Sequence, residues 1–167
     1  MGARNYLIDG VSGTGKTSVC HELRRRGYQA FNGDRDLAYR GNPMTGEPVE
    51  RPVHDSDAEG VAWVHGNQLW DVDKVKSLVA DHSMPVSFFC GGFIELFDGV
   101  FVLEVDRETL IRRLAGRPED EFGGRQVDRD LILRLHATKE DIPSGGVVID
   151  TTAPLERVVD DILQRCL

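Results

Sequence analysis

Residues Gly10-Val11-Ser12-Gly13-Thr14-Gly15-Lys16-Thr17 have the spacing G-x-x-x-x-G-K-T, behind the apolar run Tyr6-Leu7-Ile8 and ahead of a helical pattern. A strand, a glycine-rich turn and a helix in this order let backbone N–H groups surround phosphate oxygens at a helix N-terminus. The lysine then reaches the β- and γ-phosphates, and the threonine hydroxyl reaches Mg²⁺. The motif therefore predicts a loop that binds the phosphates of a nucleoside triphosphate, in preference to a glycine turn with no ligand.

The residues expected to bind the nucleotide follow from this loop. They are Gly10, Val11, Ser12, Gly13, Thr14, Gly15, Lys16, Thr17 and Ser18. Among them, Lys16 is also predicted to be catalytic, because it neutralises charge on the phosphates. Thr17 is the predicted metal ligand. The expected cofactors are ATP and Mg²⁺.

Length and charge restrict the class of protein. With 167 residues the chain is expected to form a single domain, residues 1–167. The net charge of −8 argues against a nucleic-acid surface, which would need a basic face. The three cysteines form no C-x-x-C pair, so neither a disulfide framework nor a zinc site is expected, which suits a reducing cytoplasm.

No targeting or membrane segment is apparent. Arg4, Asn5 and Asp9 interrupt any apolar stretch that would suit a signal peptide. The most apolar region, residues 85–105, is broken by glycines, Glu95 and Asp98, so it is not expected to span a membrane. We therefore expect a cytoplasmic protein without a membrane partner.

Short apolar runs alternate with helical patterns along the chain, which is typical of a parallel sheet with crossover helices. Strands are predicted at about Tyr6–Asp9, Gln29–Asn32, Val86–Cys90, Val100–Val105 and Val147–Asp150. Helices are predicted from the glycine loop to Gly27, from Asp71 through Val79, from Asp106 to Gly116, around Asp130–Ala137, and over Leu155–Cys166. The expected class is α/β.

Two segments depart from this alternation. Residues 40–60 are polar, rich in Pro and Gly and without periodicity, and a loop this long is usually functional or disordered. Residues 116–125 are charged and flanked by glycines, and they lead into a helix, which is the pattern expected of a short mobile lid at about residues 116–128. An acceptor-binding region is expected at about residues 34–70.

Carboxylates follow the second predicted strand. A side chain at the carboxyl end of a strand in such a sheet faces the ligand crevice, so Asp34 is predicted to be catalytic and to orient or deprotonate an acceptor hydroxyl. The alternative is that Asp34 caps a following helix, since Asp is a favoured cap. Asp36 lies one turn further on and is a weaker candidate.

The third strand is followed by Cys90-Gly91-Gly92. The glycine pair permits close approach of the backbone to a bound group, and its N–H groups are expected to face an anion. The alternative is that the pair forms an ordinary turn.

In the predicted lid, Arg117 is the catalytic candidate and Arg125 a weaker one, because arginines that close over a transferring phosphoryl group neutralise its charge. Pairing with neighbouring acidic residues on a solvated face is the alternative for both arginines.

Trp63, His65 and Trp70 cluster just ahead of the helix predicted from Asp71. Their aromatic faces suit an acceptor pocket that holds a base or a sugar. Core packing of the two tryptophans, with a surface histidine, accounts for the pattern equally well.

The order of these elements resembles the small P-loop kinases, the shikimate, gluconate and nucleoside or nucleotide kinase group, over nearly the whole chain. Asp34-Arg35-Asp36 looks like the D-x-D element that holds the acceptor and Mg²⁺ in shikimate kinases, and Val86–Gly92 is similar to the strand and glycines that contact the acceptor there. The resemblance implies a three-layer P-loop NTPase fold with a five-stranded parallel sheet flanked by helices.

The resemblance also implies roles for residues near the C-terminus. Residues 110–117 resemble the helix that leads into the lid, where Arg113 (or Arg112) would stack on adenine and Arg117 would reach the phosphates. Residues 148–154 resemble the loop that contacts adenine before the last helix, with Pro154 against the base. Arg113 and Pro154 are therefore expected to bind the nucleotide.

The expected activity is ATP-dependent transfer of the γ-phosphate to a small-molecule hydroxyl or phosphate acceptor, of nucleoside, nucleotide or shikimate-like type. A nucleotide-binding ATPase or regulatory module without a small-molecule acceptor is the alternative. A GTP-dependent switch is disfavoured. The D-x-x-G match at residues 57–60 follows no apolar strand, and the T-K-x-D match at residues 138–141 follows a helical pattern.

Overall fold

The computed structural model describes residues 3–53, 56–92 and 95–166. Residues 54 and 55 of the predicted acceptor region lie outside this description.

A five-stranded parallel sheet forms the centre of the molecule. Its strands are β1 (Arg4–Asp9), β2 (Gln29–Asn32), β5 (Val86–Cys90), β6 (Gly99–Glu104) and β7 (Val147–Asp150). Their order in the sheet is β2-β5-β1-β6-β7, and every neighbouring pair is parallel. All five strands fall where the apolar runs predict them. Cys90 pairs with both Ile8 and Asn32, so the carboxyl ends of the three strands β2, β5 and β1 meet at one edge.

Helices cover both faces of the sheet. They are α1 (Lys16–Arg25), α2 (Ala58–Gly66), α3 (Val72–Val79), α4 (Arg107–Ala115), α5 (Gln126–Thr138) and α6 (Leu155–Cys166). Side chains alternate along a strand, so Tyr6 and Ile8 pack with α1 and α6, whereas Leu7 packs on the other face with Val75 of α3. The three layers and the parallel sheet confirm the predicted fold class. Within the described ranges, no helix is long and apolar enough to cross a membrane.

The long loop predicted at residues 40–60 is shorter at both ends in the structure. Two short strands, β3 (Ala38–Arg40) and β4 (Gln68–Trp70), form an antiparallel pair, and α2 begins at Ala58. Strands of three residues are too short to show periodicity, and α2 has no clear apolar stripe. Trp63 and His65 lie within α2, and Trp70 lies in β4, just ahead of α3 as predicted.

The D-x-x-G match at residues 57–60 is explained by its position at the start of α2. The Asp57 carboxylate accepts a hydrogen bond from the Gly60 N–H at 2.8 Å, which is the standard bond of an N-cap. Asp57 therefore has a structural role at a helix end.

Candidate nucleotide and acceptor site

The loop Gly10–Thr17 turns the chain from β1 into α1 as the motif predicts. Gly15 precedes the helix with φ 106°, and no side chain caps the helix N-terminus, so its first N–H groups are open to a ligand. Gly13 has φ 93°, and a Cβ there would lie 2.6 Å from Leu110 Cδ1. Only glycine fits that position. Lys16 Nζ donates to Gly10 O across the loop.

A cleft of about 1330 Å³ opens at the carboxyl ends of the strands. All of the predicted loop residues from Gly10 to Ser18 line it, together with Asp34, Arg113 and Arg117. A pocket for one small ligand usually occupies about 300–1,000 Å³. The cleft is therefore large enough for two molecules side by side, a donor and an acceptor.

Asp34 and Asp36 lie in a single π-helical turn, Gly33–Leu37, directly after β2. Asp36 is held within the fold, because its Oδ2 accepts from the Asn32 N–H at 2.8 Å and from Arg24 Nη2 at 2.8 Å. Asp34 is exposed to the cleft, and its Oδ1 accepts from Gln68 Nε2 at 2.9 Å. Among the described residues the Asp34 side chain bonds to Gln68 and caps no helix, which does not support the capping alternative.

Gly91 marks the point where the loop and the acceptor-side residues meet. A methyl group on its Cα would lie 3.8 Å from Lys16 Cε, 3.8 Å from Trp70 Cζ2 and 3.9 Å from Asp34 Oδ1. The expectation that its N–H faces an anion is wrong, because that N–H donates to Ile8 O at 2.8 Å and extends the β5–β1 pairing. Gly91 instead provides the space between the lysine and the carboxylate.

The arginines of the predicted lid differ in their partners. Arg117 Nη1 donates to Ser12 Oγ of the loop at 2.9 Å and to Phe122 O at 2.5 Å, so it joins the lid segment to the phosphate-binding loop. Arg125 pairs with Asp128 at 2.9 Å, and the Asp128 side chain is only 1% exposed. Both arginines line the cleft, but Arg125 stabilises the start of α5, whereas Arg117 contacts the glycine loop.

The two arginines of α4, near the position expected for adenine, have different surroundings. Arg113 lines the cleft and donates to Gly13 O at 3.2 Å and to Thr151 O at 2.6 Å. Arg112 is exposed, 4.0 Å from Glu108. Pro154 is not among the described residues that line the cleft, whereas Thr151, Ala153 and Leu155 are.

Asp9 was not singled out from the sequence, although it lines the cleft at the end of β1. It is 6% exposed, and its Oδ1 accepts from the Gly10 N–H at 2.7 Å. Burial raises the pKa of Asp9 to about 6, against the opposing effects of Lys16 and the Gly10 N–H. Burial likewise lowers the pKa of Lys16, although Asp9 and Asp34 oppose this. The sequence signal that could have indicated Asp9 is a carboxyl residue at the end of a buried strand.

The buried Asp9 carboxyl predicts a specific pH dependence of stability. Its pKa in the folded protein, about 6, exceeds the ordinary value of 3.8, so the folded state retains the proton longer than the unfolded state does. The free energy of unfolding therefore falls as the pH rises from about 4 to about 6, by up to roughly 3 kcal/mol. We expect Asp9→Asn to lack this loss, since an amide can still accept from Gly10.

Urea unfolding of both proteins at half-unit steps from pH 4 to pH 8 measures the difference and cancels the titration of other groups. A difference in unfolding free energy that stays constant over this range would contradict the assignment to Asp9.

The sequence left the roles of Trp63, His65 and Trp70 open, and the structure shows which residues of β4 and α2 line the cleft. Gln68, Trp70 and His65 line the cleft, whereas Trp63 is not among the described residues that line it. His65 Nε2 lies 2.5 Å from Asp141 Oδ2, and its ring stacks near Phe122 of the lid segment at 6.2 Å between centroids. His65 and Trp70 therefore border the cleft, and Trp70 also packs in the core beside Phe89, as the core-packing alternative predicts.

A parallel α/β sheet with a G-x-x-x-x-G-K-T loop at its carboxyl edge defines a P-loop nucleotide-binding domain. A family model described as an AAA domain matches residues 7–134, more than half of the chain, and the chain belongs to this family. No curated protein matches the chain significantly.

Solved structures with the same fold include several small-molecule kinases. A sugar kinase from a Janibacter species has a TM-score of 0.56 at 18% identity, with 97% of this chain and 93% of that chain covered. The shikimate kinase of Bacteroides thetaiotaomicron has a TM-score of 0.57 at 14% identity, with 98% of each chain covered. The deoxyadenosine kinase of M. mycoides, solved with bound dATP, has 0.55 at 15% identity, with 97% and 98% covered. At these identities the similarity establishes the fold.

Proposed function

We propose that the chain is an ATP-dependent phosphotransferase that moves the γ-phosphate of ATP to a hydroxyl or phosphate group of a small molecule, of nucleoside, nucleotide or shikimate-like type. The observation that carries this proposal is the arrangement around Gly91, where Lys16 and the Asp34 carboxylate approach one point of the cleft. A module that only binds the nucleotide, without transfer or hydrolysis, has no need of a carboxylate at that point. The volume of the cleft, which exceeds that of one ligand pocket, supports the same proposal.

For a hydroxyl acceptor, the proposed step is an in-line displacement at the γ-phosphorus. The acceptor oxygen forms a bond to that phosphorus while the bond to the β,γ-bridging oxygen breaks, and the bridging electrons leave with ADP. Asp34 accepts the proton of the acceptor hydroxyl. Lys16, the open N–H groups at the start of α1 and Arg117 stabilise the charge on the phosphoryl oxygens.

The residues at the start of α1 fit a Mg²⁺–nucleotide complex. Thr17 is exposed in the cleft, and its hydroxyl has no hydrogen-bond partner in the described ranges, so it is free to bind a cation. Those ranges contain no group of three or more His, Cys, Asp or Glu side chains that could hold a metal. A P-loop cation is instead held by one hydroxyl, phosphate oxygens and water, where it neutralises phosphate charge.

The test is ADP release from Mg-ATP across a panel of acceptors, with Lys16→Ala as the blank. The panel contains nucleosides, nucleoside monophosphates, shikimate, gluconate and hydroxyl-bearing antibiotics. A Lys16-dependent increase with one class supports the proposal and identifies that class. ATP hydrolysis at the same rate with every acceptor would instead support the acceptor-free ATPase.

The two aspartates of the π-helical turn provide a matched pair of variants. We expect Asp34→Asn to lower kcat by about 10²–10⁴-fold, the usual contribution of a general base, with little change in melting temperature. Asp36→Asn weakens the bonds to Asn32 and Arg24, so it should lower the melting temperature and leave kcat within several-fold of the wild type. Steady-state kinetics and thermal unfolding of both variants distinguish the roles. Equal loss of activity in the two variants would contradict the assignment.

A further inference from the structure

The acceptor side of the cleft contains a hydrogen-bond donor without a partner. Trp70 is 8% exposed and lines the cleft, and its indole nitrogen makes no hydrogen bond in the described parts of the chain. The one fully buried side-chain polar atom without a partner in those parts is Asn5 Oδ1. The Trp70 nitrogen is therefore not fully buried, and the residue that carries it lines the cleft. An indole N–H in such a position usually has a partner.

The surroundings of the Trp70 ring fix its position. A Cβ on Gly33 would lie 2.1 Å from Trp70 Cζ2, and one on Gly92 would lie 2.6 Å from Trp70 Cε2. The ring therefore lies directly against the backbone after β2 and after β5, at places where only glycine leaves room for it. Since the residue is more than nine-tenths buried, no face of the ring is free to stack on a base.

The neighbouring groups have complementary hydrogen-bonding capacity. Gln68 and Trp70 are two residues apart in β4, so their side chains lie on the same side of the strand. Gln68 donates to Asp34 Oδ1, which leaves its own carbonyl oxygen and the second Asp34 oxygen as acceptors. Trp70 offers only a donor. A substrate that matches this set must both accept and donate at adjacent atoms, and neighbouring hydroxyl groups do so.

We propose that Trp70 is the inner wall of the acceptor site, and that its N–H, the Gln68 amide and the Asp34 carboxylate together select a small polyol that presents two adjacent hydroxyls. One hydroxyl lies at Asp34 and is phosphorylated. The oxygen of the other accepts from the Trp70 N–H, and its proton is donated to the Gln68 amide oxygen. This inference rests on the proposed function, since it names the class of acceptor that the same site takes.

The chain has two tryptophans, which allows a direct binding measurement. In a Trp63→Phe variant, Trp70 is the one remaining indole fluorophore. We titrate this variant, in the presence of Mg-ADP, with D-gluconate and with shikimate, which carry adjacent hydroxyls, and with deoxyadenosine, which does not. We expect a saturable change in emission with at least one of the two polyols and no change with deoxyadenosine.

The second arm measures affinity by calorimetry in the wild type, in Trp63→Phe and in Trp70→Phe. Because phenylalanine keeps an aromatic ring and lacks the N–H, we expect Trp70→Phe to bind the polyol at least 10-fold more weakly and to bind Mg-ADP with unchanged affinity. Trp63→Phe, the matched control, should bind both as the wild type does. Equal weakening of polyol and Mg-ADP would indicate a merely structural role and overturn the inference.

The remaining outcomes separate this inference from the proposed function. Absence of polyol binding, or polyol binding that Trp70→Phe leaves unchanged, overturns the inference. Lys16-dependent phosphorylation of another acceptor retains the proposed function in that case. Trp70-dependent polyol binding without Lys16-dependent ADP release supports the acceptor site and overturns the phosphotransferase.

Discussion

Lys16→Ala is expected to lower kcat/KM for phosphoryl transfer by about 10³-fold or more, which corresponds to about 4 kcal/mol of lost transition-state stabilisation. Lys16 is the cation of the glycine loop, and it lies on one side of the space beside Gly91 with Asp34 on the other. The loop N–H groups remain in the variant, so some nucleotide binding should persist. The loss should therefore affect kcat more than the affinity for ATP.

The same variant should not destabilise the fold. Burial lowers the pKa of Lys16, so the site disfavours the charged lysine when no nucleotide is bound. Removing that charge relieves a desolvation cost, and we expect a melting temperature equal to or above that of the wild type. The measurements are steady-state kinetics with an acceptor found in the panel, ATP binding by calorimetry and thermal unfolding. Activity within tenfold of the wild type would exclude Lys16 from the transfer step.

Arg117→Ala is expected to lower kcat by about 10²–10³-fold, because two effects are lost together. In the proposed mechanism the guanidinium neutralises the transferring phosphoryl group, and arginines in this role contribute large rate factors. It also links the lid segment to the loop through Phe122 O and Ser12 Oγ. Arg117→Lys keeps the charge without the double donation, so it should restore part of the rate.

Two other arginines are controls for Arg117. Arg112 is exposed on the adjoining helix, 4.0 Å from Glu108, and Arg112→Ala should retain wild-type kinetics. Arg125→Ala leaves the buried Asp128 without its ion-pair partner, so it should lower the melting temperature more than it lowers kcat. Rapid-quench measurement of the transfer step in all four variants tests this order. Equal rates for Arg117→Ala and Arg112→Ala would remove Arg117 from the mechanism.

The sheet was predictable because its strands are short apolar runs, each followed by a helical pattern. The glycine loop was predictable because its spacing reflects the geometry of phosphate binding. Both signals are local in the sequence. They give the order of the strands along the chain, and the resemblance to small P-loop kinases supplies the rest of the fold class.

The division of roles between Asp34 and Asp36 was not predictable in the same way. It depends on Arg24, which is distant in sequence and holds Asp36 across the gap between α1 and the π-helical turn. Gln68 was equally hidden, since a three-residue strand has no periodicity to read and its partner β3 is separated from it by α2. Trp70 was noticed, but the sequence left its role open between a pocket and the core. Tertiary contacts, and not local propensity, decide which side chains reach the cleft.

The segment that connects β3 to β4 begins and ends at the two-stranded sheet that these strands form. Ala38 pairs with Trp70, and the Gly41 N–H donates to Asn67 O at 2.9 Å, so residues 41–67 form a segment whose two ends are already joined at its base. The cost of closing such a loop rises only slowly with its length. Insertions and deletions within the segment should therefore be tolerated, while the phosphate-binding loop stays as it is. In evolutionary terms, this architecture allows a segment that borders the cleft to vary without a change in the loop that binds the nucleotide.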